Sequence, residues 1–312
     1  MRDSYWTGWL YYRYDQDMII KKAGRTYDVN SLYASIMREE ALPVGNLEYF
    51  KDVIPNNAKY YFVRVSCSFE LKEHAFPFIR DPATKQNLKS GKDMELTLTK
   101  DIFELFLKYY KVEYKVIDGY SCEAWKGIFD KYINTWFDIK VNAQGTQRDY
   151  AKLMLNSLYG KFGTKPASPH FVVETDEYID EKAETVYVPI AAAISSKAIC
   201  RCVEAAIANY DRFIFAHTDS IHLEGDEEPN EISVDQIALG KWKLERKWKD
   251  AYFSENFNYI EHSGNDYKIA FFGLRDYPRE KLAQWLREDL VSYEDIHEGI
   301  TLPEADGNVI II

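Results

Sequence analysis

The chain has 312 residues, 46% of them hydrophobic and 29% charged, the composition of a globular protein long enough for two or three packed subdomains. No apolar run reaches the roughly 18 residues of a membrane span, and the first residues, MRDSYWTGW, lack a signal-peptide pattern. A net charge of −11 argues against a simple basic nucleic-acid binder but leaves room for a locally basic groove.

Residues 10–29 alternate enough to predict two strands around Ala23-Gly24. Residues 31–40 (SLYASIMREE) predict a short helix that stops before Pro43, and 58–71 (AKYYFVRVSCSFEL) a long strand of period two. The polar, turn-rich stretch 80–93 is expected to be a loop. A Thr-capped helix is predicted over 99–110, another helix over 123–138, and a long one over 146–162. Residues 170–189 predict a hairpin with an acidic tip at Thr175–Lys182, 190–209 an Ala-rich helix, and 212–224 a strand, tight turn and strand. The stretch 251–312 mixes strands with one helix near 279–289. Strands and helices interleave without a repeating βαβ order, so the expected fold class is α+β with insertions.

Two stretches stand out by charge. Residues 224–235 (EGDEEPNEISVD) are acidic; residues 239–249 (LGKWKLERKWK) are basic with interleaved Trp, which suits either a phosphate-tracking segment or a solvated helix face. Cys67, Cys122, Cys200 and Cys202 form no CxxC pair, and no His is spaced to complete a zinc site. Buried reduced thiols, as in a cytosolic protein, are expected.

Three segments carry chemistry. In Thr26-Tyr-Asp-Val-Asn-Ser-Leu-Tyr33, Asp28 ends a predicted strand just before a helix that Asn30 or Ser31 would cap. In Arg148-Asp-Tyr-Ala-Lys-Leu-Met-Leu-Asn-Ser-Leu-Tyr-Gly160, helical spacing puts Arg148, Lys152, Asn156, Tyr159 and Gly160 on one face, with Leu155, Leu158 and Phe162 turned to a core. Lys152 can meet phosphate oxygens, Tyr159 can stack under a base, and Gly145-Thr146 would open the helix with its positive end. In Phe213-Ile-Phe-Ala-His-Thr-Asp-Ser-Ile-His-Leu223, apolar strands flank a polar turn, and Asp219 stands at its tip. Singly, these could be a cap, an amphipathic helix and a turn. Together they place two carboxylates at strand ends with a phosphate-binding helix between them in sequence, the ingredients of two-metal phosphoryl transfer. Hard oxygen ligands of this kind fit Mg²⁺ best.

DVNSLY resembles motif A of family B DNA polymerases, KLMLNSLYG motif B, and HTDS motif C. AKLMLNSLYGKF with TDSIHL most closely resembles the protein-primed subgroup of phages, linear plasmids and adenoviruses, and the similarity runs from about residue 5 to the C-terminus. The resemblance implies a right-hand polymerase fold: palm from 1–39 and 189–265, fingers from 128–163, thumb from 266–312. Residues 40–127 fall where the subgroup carries its first terminal-protein-region insertion, and 164–188 where it carries the second, here short. The implied reaction is templated transfer of a deoxynucleoside monophosphate to a 3′-OH, or first to a hydroxyl of a priming (terminal) protein, with Mg²⁺ or Mn²⁺. The implied partners are primer-template DNA, deoxynucleoside triphosphates and a terminal protein, with no membrane. The exonuclease domain that precedes this region in the family is missing from this sequence, so proofreading would need a separate chain, or the sequence is a fragment or split gene product. A phage-encoded protein of this kind would act in the host cell cytoplasm.

By the same resemblance, Asp28 and Asp219 are the catalytic metal-binding carboxylates, the Val29 carbonyl is a further metal contact, and His217 is an added candidate ligand, suited to Mn²⁺. Tyr33 matches the steric gate against ribose, Lys140 and Lys152 the triphosphate-binding lysines, and Asn156 and Tyr159 the residues that check the nascent base pair. Ser31, Ser157, Gly160, Thr218 and Tyr259 match positions close to DNA. The sequence departs from the family at His217, where motif C has an Asp, at Phe257-Asn258-Tyr259 in place of a KxY motif, and at Tyr5-Trp6-Thr7-Gly8 in place of YxGG. These departures keep two rivals in play, a non-catalytic DNA-binding replication scaffold and an enzyme that adds nucleotides without a template.

Overall fold

The computed structural model describes residues 2–164, 167–172, 177–182, 187–271, 274, 276–303 and 309–311. A 3-10 turn (Arg2–Ser4) leads to β1 (Leu10–Tyr12), β2 (Met18–Ile20), β3 (Gly24–Val29) and α1 (Leu32–Glu39). Then come β4 (Leu42–Lys51), β5 (Tyr60–Leu71), β6 (Ile79–Arg80), β7 (Asn87–Leu88), β8 (Ser90–Thr99), α2 (Lys100–Tyr109) and β9 (Tyr110–Trp125). The helices α3 (Asp130–Asn142) and α4 (Gly145–Gly163) precede a hairpin, β10 (Ala167–Val172) and β11 (Glu177–Lys182), and the long helix α5 (Val188–Ala208). The strands β12 (Phe213–His217), β13 (Ser220–Glu224), β14 (Trp242–Trp248), β15 (Asp250–Phe253), β16 (Tyr259–Ser263) and β17 (Asp266–Ala270) follow. The described chain ends with α6 (Asp276–Arg287), α7 (Tyr293–Glu298), β18 (Thr301–Pro303) and β19 (Val309–Ile311).

The α+β class is as expected, and so are α1, β5, α4, α5, the β12–β13 hairpin and α2 with its Thr99 cap, whose side chain accepts from the Ile102 amide. Several boundaries differ. Residues 10–29 hold three strands, not two, because β2 leaves for another sheet. The helix expected over 123–138 starts only at Asp130, since β9 runs to Trp125 as the partner of both β4 and β5. The loop expected over 80–93 contains the short β6–β7 pair and the start of β8. The hairpin expected over 170–189 spans 167–182, and its tip at 173–176 lies outside the described residues. Near the C-terminus α7 joins α6, so the described residues hold two helices where one was expected.

The central sheet is antiparallel, in the order β1-β12-β13-β3-β14. α5 covers one of its faces. The small residues Ala192, Ala193 and Ala198 let this helix lie close on Tyr27, Val29, Ala216 and Ile221, all essentially fully buried. Part of the opposite face is covered by a second sheet, β17-β16-β15-β2, through Phe215, Trp248, Phe253 and Tyr259. Period two gives the strands of this second sheet a further buried face: Tyr252 and Ile260 pack with Leu282 and Leu286 of α6 and Ile296 of α7. The boundary expected between palm and thumb at 265/266 therefore falls inside a continuous β16–β17 hairpin. A third sheet, β4-β9-β5-β8, carries α2 and packs on α5, and it accounts for the stretch 40–127. All four cysteines are free; Cys200 is partly exposed and the other three are buried. No helix of the described residues is long and apolar enough to cross a membrane.

Gly24 is where the central sheet tolerates no side chain. A Cβ there would run into the Trp248 ring and sit 2.5 Å from the Leu223 carbonyl oxygen. Backbone cannot yield as a flexible side chain can, so Gly24→Ala is expected to destabilise the protein by about 1–3 kcal/mol. Urea unfolding of the two proteins measures this, and an unchanged midpoint would contradict the packing described.

Candidate active site

The hairpin β12–β13 and the strand β3 bring the two acids together. The registers are His217 opposite Ser220, Ser220 opposite Asp28, and Asp28 opposite Lys243. Directly opposed residues of an antiparallel sheet share a face, so these four side chains form one row across four strands. Asp219 sits in the turn beside the row, and its carbonyl accepts from the Val29 amide at 2.9 Å. Thr218 takes up the left-handed conformation (φ 60°), and its amide donates to the Trp9 carbonyl at 2.8 Å. The turn fits only because residue 8 is glycine: a Cβ there would lie 2.5 Å from the Thr218 hydroxyl. The segment Tyr5-Trp6-Thr7-Gly8 thus buttresses the turn that carries Asp219.

Burial and, next, the neighbouring charge of Asp28 push Asp219 up to about 7. Burial also raises Asp28, although the Lys243 ammonium, 3.1 Å from its Oδ1, works against it. Glu245 adds negative charge to both acids and is itself bridged to Lys268 at 3.0 Å. Two half-buried, mutually repelling carboxylates are an all-oxygen donor set short of positive charge, which fits Mg²⁺ or Mn²⁺. Among the described residues no group of three or more His, Cys, Asp or Glu side chains is arranged to hold a metal. Two carboxylates alone would leave positions on a bound ion for water and phosphate oxygens.

Cations line the approach from α3 and α4. Lys140 Nζ donates to Ser31 Oγ at 2.7 Å. Ser31 stands at the N-cap position of α1, but in the left-handed conformation and without a capping bond, so its hydroxyl serves Lys140 instead. Burial, then the charges of Lys243, Lys152 and Arg148, lower the pKa of Lys140, with Asp28 opposing. Lys243, Lys152 and Arg148 thus each lie within charge range of Lys140, a concentration of positive charge that suits an anion. Ala151 and Leu155 anchor α4 to the core, with Leu158 and Phe162 partly buried beside them. Lys152, Asn156, Ser157 and Gly160 are left exposed. Nothing lies within 4 Å of a Cβ built at Gly160, and Ser157 Oγ turns back to the Met154 carbonyl at 3.3 Å.

Tyr33 and Tyr159 stack with centroids 4.2 Å apart and planes 14° from parallel. The Tyr5 hydroxyl donates to the Tyr159 hydroxyl at 3.1 Å. Burial, then the charge of Asp219, raise the pKa of Tyr33.

Two expected site residues lie elsewhere. His217 shares the row with Asp28, but a whole strand separates them, about 10 Å at two strand spacings. Its ring is exposed, and the desolvation it does meet, then His222, lower its pKa. Tyr259 is only 9% exposed and packs among Phe215, His222 and Phe253. Phe257, at 38% exposure, stands where the KxY lysine was looked for. Lys243, Glu245 and Lys268 were missed. The alternation Trp242-Lys-Leu-Glu does mark Lys243 and Glu245 as one face of a strand, but the bulge between Leu244 and Arg246 breaks that pattern.

The family described as DNA polymerase type B, organellar and viral, matches residues 1–238. The chain is 37% identical over 279 residues to the DNA polymerase of Bacillus phage Nf and 35% identical over 275 residues to that of Bacillus phage phi29. Each of these alignments covers 81% of this chain and 47% of the relative. The DNA polymerase of Streptococcus phage Cp-1 is 31% identical over 273 residues, covering 78% of this chain and 48% of that protein. Phi29 DNA polymerase complexed with primer-template DNA and incoming nucleotide substrates has a similar structure, with a TM-score of 0.82 and 29% identity over 100% of this chain and 60% of that one. The chain spans about half the length of the curated relatives it matches. The fold is thus the right-hand polymerase fold, and the chain belongs to the organellar and viral type B DNA polymerases.

Proposed function

We propose that this chain adds deoxynucleotides to a primer 3′-OH on a DNA template by two-metal phosphoryl transfer. The observation that carries this reading is that Asp28 lies opposite Ser220 on the adjacent strand, next to the turn that holds Asp219, with Lys140, Lys152 and Arg148 nearby. Asp28, Asp219 and the Val29 carbonyl would hold the metal ions, Mg²⁺ or Mn²⁺. When bound, such ions lower the pKa of the attacking hydroxyl and neutralise charge on the phosphoryl group and leaving pyrophosphate. Lys140 and Lys152 hold the triphosphate, and Ser31 fixes the Lys140 ammonium in place. Asn156 and Tyr159 face the nascent base pair, with Ser157, Gly160 and Thr218 along the DNA path.

As in the protein-primed subgroup, the first acceptor would be a hydroxyl of a terminal protein docked on the 40–127 sheet. The reaction would run in the host cell cytoplasm. Extension of a labelled primer on a defined template, with Mg²⁺ and with Mn²⁺, tests the core of this reading. Incorporation with neither metal would end it.

A non-catalytic, DNA-binding scaffold is the second reading. It is favoured by His217, which brings no negative charge to the site, and by Phe257 in place of a lysine. Binding of primer-template without incorporation would identify it. An enzyme that needs no template would extend single strands as well as primed ones.

In this reading Tyr33 selects the sugar. Its ring, braced by Tyr159, would meet a 2′-OH on a nucleotide whose phosphates face Lys140. Tyr33→Ala is expected to relax discrimination against ribonucleotides on the order of 10²-fold. Single-nucleotide incorporation kinetics with matched ribo- and deoxyribonucleotides measure it, and unchanged rejection would remove the assignment.

A further inference from the structure

We propose that Lys243 is an internal counter-ion for Asp28 that a divalent metal must displace, so that it sets the metal concentration at which the site fills. The inference rests on the reading of Asp28 and Asp219 as metal ligands. Lys243 is placed by backbone. It lies directly opposite Asp28 on the neighbouring strand, and buried Trp242 and Trp248 pin the ends of β14 at 4% and 2% exposure. The bulge that follows between Leu244 and Arg246 ends this register, so the pairing of Lys243 with Asp28 is local and specific. Its ammonium stands 3.1 Å from Asp28 Oδ1, with the two side chains 32% and 21% exposed. Such a pair is shielded from solvent more than an ordinary surface ion pair.

A divalent ion on the same carboxylate would sit about 2.1 Å from its oxygens. An ammonium still in place would then lie within a few ångströms of a doubly charged ion, and that repulsion is larger than the attraction the lysine gains from Asp28. Lysine and metal therefore exclude each other at this oxygen. The lysine also has somewhere to go: it lies within charge range of Lys140, so a displaced ammonium stays beside the groups proposed to face the triphosphate. Metal loading is thereby tied to the arrival of phosphate, the anion that offers Lys243 a new partner.

The test is direct Mn²⁺ binding to the full chain without DNA or nucleotide, followed by the electron-spin signal of free Mn²⁺. Lys243→Met should lower the Mn²⁺ concentration for half-saturation about fivefold or more, whereas Lys243→Arg, which keeps the charge, should stay near wild type. Lys126→Met, which removes an exposed lysine outside the site, should also stay near wild type. Circular dichroism and thermal melting establish that each variant is folded. The inference is overturned if Lys243→Met binds Mn²⁺ no more tightly than wild type, or if Lys126→Met or Lys243→Arg tightens binding as much. If wild type binds Mn²⁺ and Asp28→Asn abolishes it, the metal-site reading stands whatever Lys243 does. If neither wild type nor Lys243→Met binds Mn²⁺, that reading falls and takes this inference with it.

Discussion

Asp219→Asn is expected to reduce nucleotide incorporation by about 10³-fold or more, with little change in primer-template affinity. The substitution keeps the shape of the side chain and leaves the Asp219 carbonyl bond to Val29 untouched. What goes is the negative charge at the turn beside Asp28. Affinity for DNA draws on cations and backbone contacts, so it survives. The wild type should also show a characteristic pH dependence. Without bound cations Asp219 is held up to about 7, and proton and metal compete for its oxygens. Apparent metal affinity should therefore fall as pH drops below 7, and the Asp219→Asn variant should lose this dependence. Single-turnover kinetics and fluorescence anisotropy separate the two effects. Activity of Asp219→Asn within tenfold of wild type would rule out Asp219 as a catalytic ligand.

The acid pair was legible in sequence because its surroundings are written in short-range code. Phe213–Ala216 and Ile221–Leu223 are apolar runs around a polar turn, and a turn between two such runs can only be a hairpin. The register then sets Asp28 of β3 opposite Ser220 of β13, next to Asp219. β9 was hidden for a different reason. Its residues 110–116 and 120–124 do alternate apolar with polar, but Ile117-Asp118-Gly119 interrupts the period; a Cβ at Gly119 would meet the Phe62 carbonyl and the Phe50 ring. The place of β9 is fixed by long-range pairing with β4 and β5, which no local window contains. Ser31 was legible as a cap by composition, yet the structure uses it differently, since Lys140 arrives from a distant helix. The run 239–249, open to reading as a phosphate-tracking segment or a solvated helix face, forms the strand β14 instead of a helix, and charge counting does not reveal that this strand pairs with β3. The motif residues are thus local facts, and the groups that tune them are topological ones.

Beneath the acids lies a second place where a single change should matter greatly. His222 of β13 and Glu261 of β16 are both 0% exposed, with Nδ1 and Oε1 2.8 Å apart. Thr26 of β3 donates its hydroxyl to the same Glu261 oxygen, and Trp248 of β14 donates its indole N–H to Thr26 at 3.2 Å. Four strands of two sheets therefore meet at one carboxylate. Burial works against ionisation of Glu261, but the His222 imidazole, its hydrogen bond and that of Thr26 outweigh it, and the pKa lies below the ordinary value. While Glu261 is ionised it can only accept, so the proton sits on His222 Nδ1. His222 Nε2 and Glu261 Oε2 have no hydrogen-bond partner among the described residues, which leaves little to compensate a broken pair. Glu261→Ala is expected to cost about 3–5 kcal/mol, a large part of the roughly 5–15 kcal/mol that holds a domain together. Glu261→Gln, which keeps an acceptor oxygen at the same place, should cost less. A depressed carboxylate pKa stabilises the fold above the unfolded value near 4 and stops doing so as pH falls through the folded one. The deficit of the alanine variant should therefore be full at neutral pH and narrow in acid below about pH 4. Urea unfolding across that range decides it. A deficit under about 1 kcal/mol at pH 7 would mean that the two sheets are held by their apolar faces alone, and that the site above them does not depend on this buried contact.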